Sequence, residues 1–249
     1  YIAILAYLDR KEDVALVELR KVLAEKTGKP VTFGWGPRFQ HSTGQFHKAG
    51  QPNGSFLIIT ADSNQDFDIA GKEAGYPPTR HLDAFDAVRR ANFHMTIHAG
   101  EAFGLPSIWE AIQLCGTERL GHGVRLIDDI DFTFNPPKLG LLSAYVRDRR
   151  IPLELCPTSN LQTGGAKSYE THQIGLMKKL GFNVSINTDN RLMSRTNMSN
   201  EILKIAEGYS WNLDELQDLA LNAIGAAFIP KEKQSDIAAQ IREGFKVLA

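Results

Sequence analysis

Four short polar clusters in this sequence hold side chains that do chemistry. They are His98-Ala99-Gly100-Glu101, Gly121-His122-Gly123, Cys156-Pro157-Thr158-Ser159-Asn160 and Asn187-Thr188-Asp189-Asn190. A neutral imidazole suits zinc, and a carboxylate can complete its shell. A glutamate placed three residues after a ligand histidine, as Glu101 is after His98, can reach a substrate as acid or base without binding the metal. Glycines on both sides of His122 allow a substrate to approach the backbone closely. Taken singly, each cluster has a plainer explanation. A histidine at a strand end is commonly a hydrogen-bonded structural residue, an aspartate after a strand a helix cap, and Ser159-Asn160 a turn. It is the four together that indicate a site.

The elements around these clusters alternate. Short apolar runs at Tyr1–Leu8, Val31–Trp35, Ser55–Thr60, Phe67–Ala70, Phe93–His98, Leu120–Val124, Leu153–Pro157 and Asn183–Asn187 read as strands. Segments with helical spacing of apolar residues lie mostly between them: Val14–Lys26, Arg80–Asn92, Leu141–Arg149 and Thr171–Leu180. Ser107-Ile108-Trp109-Glu110 has the form of a capping box opening another helix, and the chain from about Ser199 is helical in three pieces. Alternation of this kind means a parallel sheet covered by helices. Eight strand candidates suggest an α/β fold of the (β/α)8 barrel type, with its site at the C-terminal strand ends, where the four clusters fall. Closure of such a barrel would pair the Tyr1 strand with the Ser185-Ile186 strand.

Composition narrows the class. The chain has 249 residues, 43 % hydrophobic and 23 % charged, with a net charge of −1, which is ordinary globular usage and argues against collagen, coiled coil and bulk disorder; the length fits one α/β barrel or two smaller domains. The near-neutral charge argues against a nucleic-acid or membrane-surface binder, and no apolar run reaches transmembrane length. Two cysteines, Cys115 and Cys156, make no disulfide framework, so a reducing, cytoplasmic setting is expected. No protein partner is indicated. The sequence opens on Tyr1 rather than Met, which reads as an engineered piece or a segment of something longer.

From about Phe67 onward the chain resembles the adenosine deaminase family in its actinobacterial form. The resemblance rests on Phe67-Asp68-Ile69-Ala70-Gly71 with Glu73, Thr96-Ile97-His98-Ala99-Gly100-Glu101, Arg119-Leu120-Gly121-His122-Gly123-Val124-Arg125, Leu153-Glu154-Leu155-Cys156-Pro157-Thr158-Ser159-Asn160, and Asn187-Thr188-Asp189-Asn190-Arg191-Leu192-Met193-Ser194. It implies a zinc-dependent (β/α)8 hydrolase taking adenosine, a small-molecule purine nucleoside, to inosine and ammonia. By motif, His98 and Asp189 resemble metal ligands and Glu101 the residue that protonates the purine ring at N1. His122 resembles the residue that orients the hydroxide, and Gly71 a backbone contact to the purine. Asn190 stands where the family more often has Asp against purine N7; an amide NH2 can donate to N7 without first being protonated. The family's first strand ends in a His-x-His pair that binds the metal, and no His-x-His occurs among His41, His47, His81, His94, His98, His122 and His172. The implied zinc set is therefore incomplete, and impaired or absent activity is the expectation.

Residues 1 to about 66 resemble something else. Arg38 to Gly50, with its His41-Ser42-Thr43-Gly44 and His47-Lys48, and Gly54 to Thr60 are similar to the C-terminal sugar-isomerase domain of bacterial glucose-6-phosphate isomerase. That resemblance implies a flavodoxin-like, doubly wound fragment. The organisation expected is one barrel-like unit over 1–249 with an internal seam near 66–70, an engineered chimera of a βαββ piece and the deaminase strands. A scaffold with no natural activity, or a sugar-isomerase relic, is the alternative reading of function.

Overall fold

A computed structural model describes residues 1–7, 13–35, 55–60, 67–69, 73 and 75–248. The chain divides into two compact units, Tyr1–Gly71 and Lys72–Ala249. The isomerase-like residues His41, His47 and Lys48, and the purine-contact candidate Gly71, lie outside the described residues.

In the first unit, β1 (Ile2–Tyr7), β2 (Val31–Trp35) and β3 (Ser55–Thr60) are all parallel, in the order β2-β1-β3. Ala3, Ile4 and Ala6 are fully buried, as the central strand of a parallel sheet requires. Between β1 and β2 the chain makes a 3-10 turn, Val14–Glu18, and then α1 (Leu19–Thr27), which stops at left-handed Gly28. The predicted helix from Val14 to Lys26 therefore begins as a 3-10 turn. With β2 on one edge and β3 on the other, β1 has no edge left for the barrel-closing pairing expected of it. In a barrel, consecutive strands are neighbours; here the first strand is central, and this order corrects the simple eight-stranded expectation for the N-terminal strands. A short strand β4 (Phe67–Ile69) follows.

The second unit is where strands and helices alternate regularly. Its secondary structure begins with a 3-10 turn, Pro78–His81, and α2 (Leu82–Arg90), followed by β5 (Met95–Ala99), α3 (Leu105–Gln113) and β6 (Arg119–His122). An antiparallel pair of two-residue strands, β7 (Ile130–Asp131) with β8 (Lys138–Leu139), precedes α4 (Leu141–Asp148). Next come β9 (Leu153–Leu155), α5 (Pro157–Gln162), α6 (Gln173–Lys179) and β10 (Val184–Ile186). Four helices end the chain: α7 (Arg191–Ser194), α8 (Met198–Tyr209), α9 (Leu213–Gly225) and α10 (Lys231–Leu248).

β10, β9, β6 and β5 lie side by side in that order, all parallel, with His98 opposite Gly121 and Ala99 opposite His122. Ile97, Leu120, Leu153, Leu155 and Val184 from these strands are almost wholly buried, each stabilising the fold by roughly 1.5–3 kcal/mol. Among the described residues, no helix is long and apolar enough to cross a membrane, and both cysteines are buried free thiols.

Two local expectations change. Gly104, not Ser107, is the N-cap of α3, and Pro106 sits in its first turn. Ser107 is one turn inside, where its hydroxyl donates to the Gly104 carbonyl (2.9 Å) and accepts from the Gly100 N–H (2.9 Å). The capping box occurs instead at α9, where Asn212 and Glu215 bond each other's backbone N–H groups. Ser159-Asn160, which the sequence allowed to be a turn, lies on a helix, α5, opened by Pro157 in its first turn.

Candidate active site

The C-terminal ends of β5, β6, β9 and β10 each deliver one of the polar clusters, and the backbone there is bent out of strand geometry. His122 has φ 68° and Asp189 φ 53°. A left-handed conformation is uncommon outside glycine, though His and Asp tolerate it better than most, and such residues concentrate at functional sites.

His122, itself buried, is the centre of the cluster. Its Nε2 lies 3.4 Å from Glu101 Oε2 and 4.0 Å from Asp189 Oδ2. The Ser159 hydroxyl donates to Asp189 Oδ2 at 2.6 Å. The Asn160 amide donates to Glu101 Oε1 at 2.9 Å and bonds His122 Nδ1 at 3.0 Å. Thr163 donates to the same Glu101 oxygen at 2.9 Å. The His98 ring stands edge-on to the His122 ring, with centroids 4.7 Å apart. Gly121 makes room for it: a Cβ there would lie 2.6 Å from His98 Cδ2 and 3.2 Å from His98 Cα. The glycine before His122, expected to admit a substrate, admits the neighbouring imidazole.

Glu73 holds the loop after β5. Its buried carboxylate accepts the backbone N–H groups of Glu101 (3.0 Å), Ala102 (3.0 Å) and Phe103 (2.9 Å). Burial nevertheless pushes the Glu73 carboxyl above its ordinary range, against those hydrogen bonds. Burial also raises Glu101, opposed by the Thr163 and Asn160 hydrogen bonds and by His98, and assisted by the nearby Asp189 charge. A carboxyl so placed keeps its proton to higher pH than an exposed glutamate, which is what a general acid needs.

The fold thus brings Glu101, His122 and Asp189 together, with His98 alongside. Asn190 follows Asp189, and its carbonyl accepts the Ser194 N–H (2.9 Å) in the first turn of α7. Ser159, Asn160, Glu73, Thr163 and His172 had no role in the site that was legible from the sequence. Pro157 was the available signal, since proline after a strand and before polar residues favours the first turn of a helix.

A catalytic zinc usually takes three protein ligands. His98 and Asp189 have suitable donor chemistry, but among the described residues no group of three or more His, Cys, Asp or Glu side chains could hold a metal ion. The described residues do not complete a zinc site.

The adenosine deaminase family model matches residues 57–244. The chain belongs to the adenosine deaminase family. The match begins inside β3, earlier than the Phe67 boundary of the sequence resemblance. The chain is similar to adenosine deaminase 1 of Streptomyces coelicolor, 59 % identical over 184 residues, covering 73 % of this chain and 46 % of that protein. It is 55 % identical to the adenosine deaminase of Mycobacteroides abscessus over 184 residues, 73 % of this chain and 51 % of that one. The chain therefore spans about half the length of the curated relatives it matches. Among solved structures it resembles the adenine deaminase of Arthrobacter aurescens, with TM-score 0.67 and 18 % identity over 98 % of this chain and 74 % of the other. An amidohydrolase from B. ambifaria, solved with bound Zn, gives TM-score 0.65 and 19 % identity over 99 % of this chain and 68 % of that one. At such identities the likeness is one of fold.

Proposed function

We propose that this chain carries the proton-transfer half of a hydrolytic purine-nucleoside deaminase site, acting on adenosine to give inosine and ammonia. The observation that carries the reading is the convergence of Glu101, His122 and Asp189 from three strand ends in a chain of this family. Glu101, whose carboxyl burial shifts upward, donates its proton to N1 of the purine as the amine-bearing carbon becomes tetrahedral. His122 orients the attacking water through Nε2, and Asp189, held by Ser159, receives a proton from that water. Asn190 and Gly71 are the proposed purine contacts. Zinc enters only as a two-donor partial site at His98 and Asp189, so no step is assigned to it, and impaired activity is part of the reading. The substrate is a small molecule met in the cytoplasm.

Residues 1–66 fit this reading as a flavodoxin-like piece ahead of deaminase strands, a seam supported by the β2-β1-β3 order and by the division of the chain near Gly71. No sugar-isomerase activity is assigned to it.

The test is loss of adenosine absorbance by the purified chain, with zinc content measured in parallel. Turnover abolished by Glu101→Gln supports the reading. A cooperatively folding chain with no turnover at any zinc concentration refutes it.

A further inference from the structure

We propose that Asn160 is a positioning residue that fixes which ring nitrogen of His122 carries the proton, and that Cys156 and His172 fix Asn160. The role of His122 rests on the reading above; the placement of its proton rests on the following hydrogen bonds.

An asparagine amide can face either way, and only its neighbours decide. Asn160 Oδ1 lies 3.1 Å from the Cys156 backbone nitrogen. An N–H must meet an acceptor, so this atom is the oxygen and the other is the NH2. The second partner of Oδ1 agrees. His172 Nδ1 accepts the Ile174 N–H at 3.1 Å, at the start of α6. With Nδ1 accepting, a neutral His172 carries its hydrogen on Nε2, and that nitrogen lies 3.2 Å from Asn160 Oδ1. Two backbone N–H groups, that of Cys156 directly and that of Ile174 through His172, thus point the amide the same way.

The NH2 then faces Glu101 Oε1 and His122 Nδ1, and both must accept. A neutral His122 has its proton on Nε2, the nitrogen directed at Glu101 and Asp189. Asn160 is fully buried and His172 nearly so, which removes water as a competing partner. The amide also couples His122 to Glu101, since its two hydrogens go one to each.

The test is nitrogen NMR on the whole chain labelled with 15N-histidine, near pH 7.5, with ring resonances assigned by His122→Gln and His172→Gln. The expected wild-type pattern is Nε2 protonated and Nδ1 unprotonated for both residues. Asn160→Asp keeps the shape but replaces the NH2 with an acceptor, and is expected to put a proton on His122 Nδ1. A wild-type His122 protonated at Nδ1, or a folded Asn160→Asp whose His122 pattern does not change, overturns the proposal. If Asn160→Asp does not fold, the wild-type pattern alone decides. A chain without deaminase turnover but with the expected pattern would refute the activity and leave the positioning role standing.

Discussion

Lowering the pH should destabilise this protein through His172. The ring is about 1 % exposed, and burial, with a smaller contribution from neighbouring His122, lowers its pKa from 6.5 to about 4. The folded protein therefore keeps His172 neutral while the unfolded chain protonates it. The unfolded state binds more protons between pH 6.5 and 4, so the stability tied to the neutral ring is present above pH 6.5 and is lost as pH falls through that window. At about 1.4 kcal/mol per pH unit the loss comes to roughly 3 kcal/mol. Glu73 and Glu101 act in the opposite sense. Their raised carboxyls take up protons in the folded state first, so acid relieves their burial cost. The difference between wild type and His172→Gln isolates the histidine, because glutamine can donate to Asn160 and does not titrate. Urea unfolding of both proteins from pH 7.5 to 4.5 should show the wild type losing roughly 2–3 kcal/mol more than the variant. Parallel losses in the two would show that the buried ring is not held neutral, and the reasoning fails.

Gly121→Ala should lower stability by about 1–3 kcal/mol and displace the His98 ring, because the added methyl meets His98 Cα at 3.2 Å and the backbone cannot swing aside. A thermal melt with the His98 NMR resonances checks both, and an unchanged pair contradicts the packing. Glu201→Ala should cost about 3 kcal/mol or more. The fully buried Glu201 carboxylate accepts the Thr158 N–H (2.8 Å) and the Thr158 and Thr196 hydroxyls, tying α5 to α8, and all three donors would be stranded. Denaturant unfolding measures it, and a loss under 1 kcal/mol would argue that water replaces the carboxylate.

Much of the second unit was legible because periodicity and punctuation report local structure. The short runs Phe93–His98, Leu120–Val124 and Asn183–Asn187 read as strands, and the polar residues at and just past their ends fell at the strand ends. The 3-10 start at Val14 and the cap at Gly104 were missed because where a helix tightens or begins depends on backbone bonds that residue type does not dictate. The hairpin of β7 with β8 is too short to leave a pattern.

By its own residues the sequence determined the alternation of strands and helices, the four polar clusters, and the family through the match over residues 57–244. Those are properties of neighbours along the chain. Tertiary structure decided the rest. Whether β1 is a barrel neighbour or the centre of a β2-β1-β3 sheet depends on which edges find partners. Whether Asn160 is a turn residue or the amide between His122 and Glu101 depends on buried N–H groups that must each meet an acceptor. Residue type sets what a side chain can donate or accept; only packing fixes which partner it meets and which nitrogen of His122 is left to carry the proton.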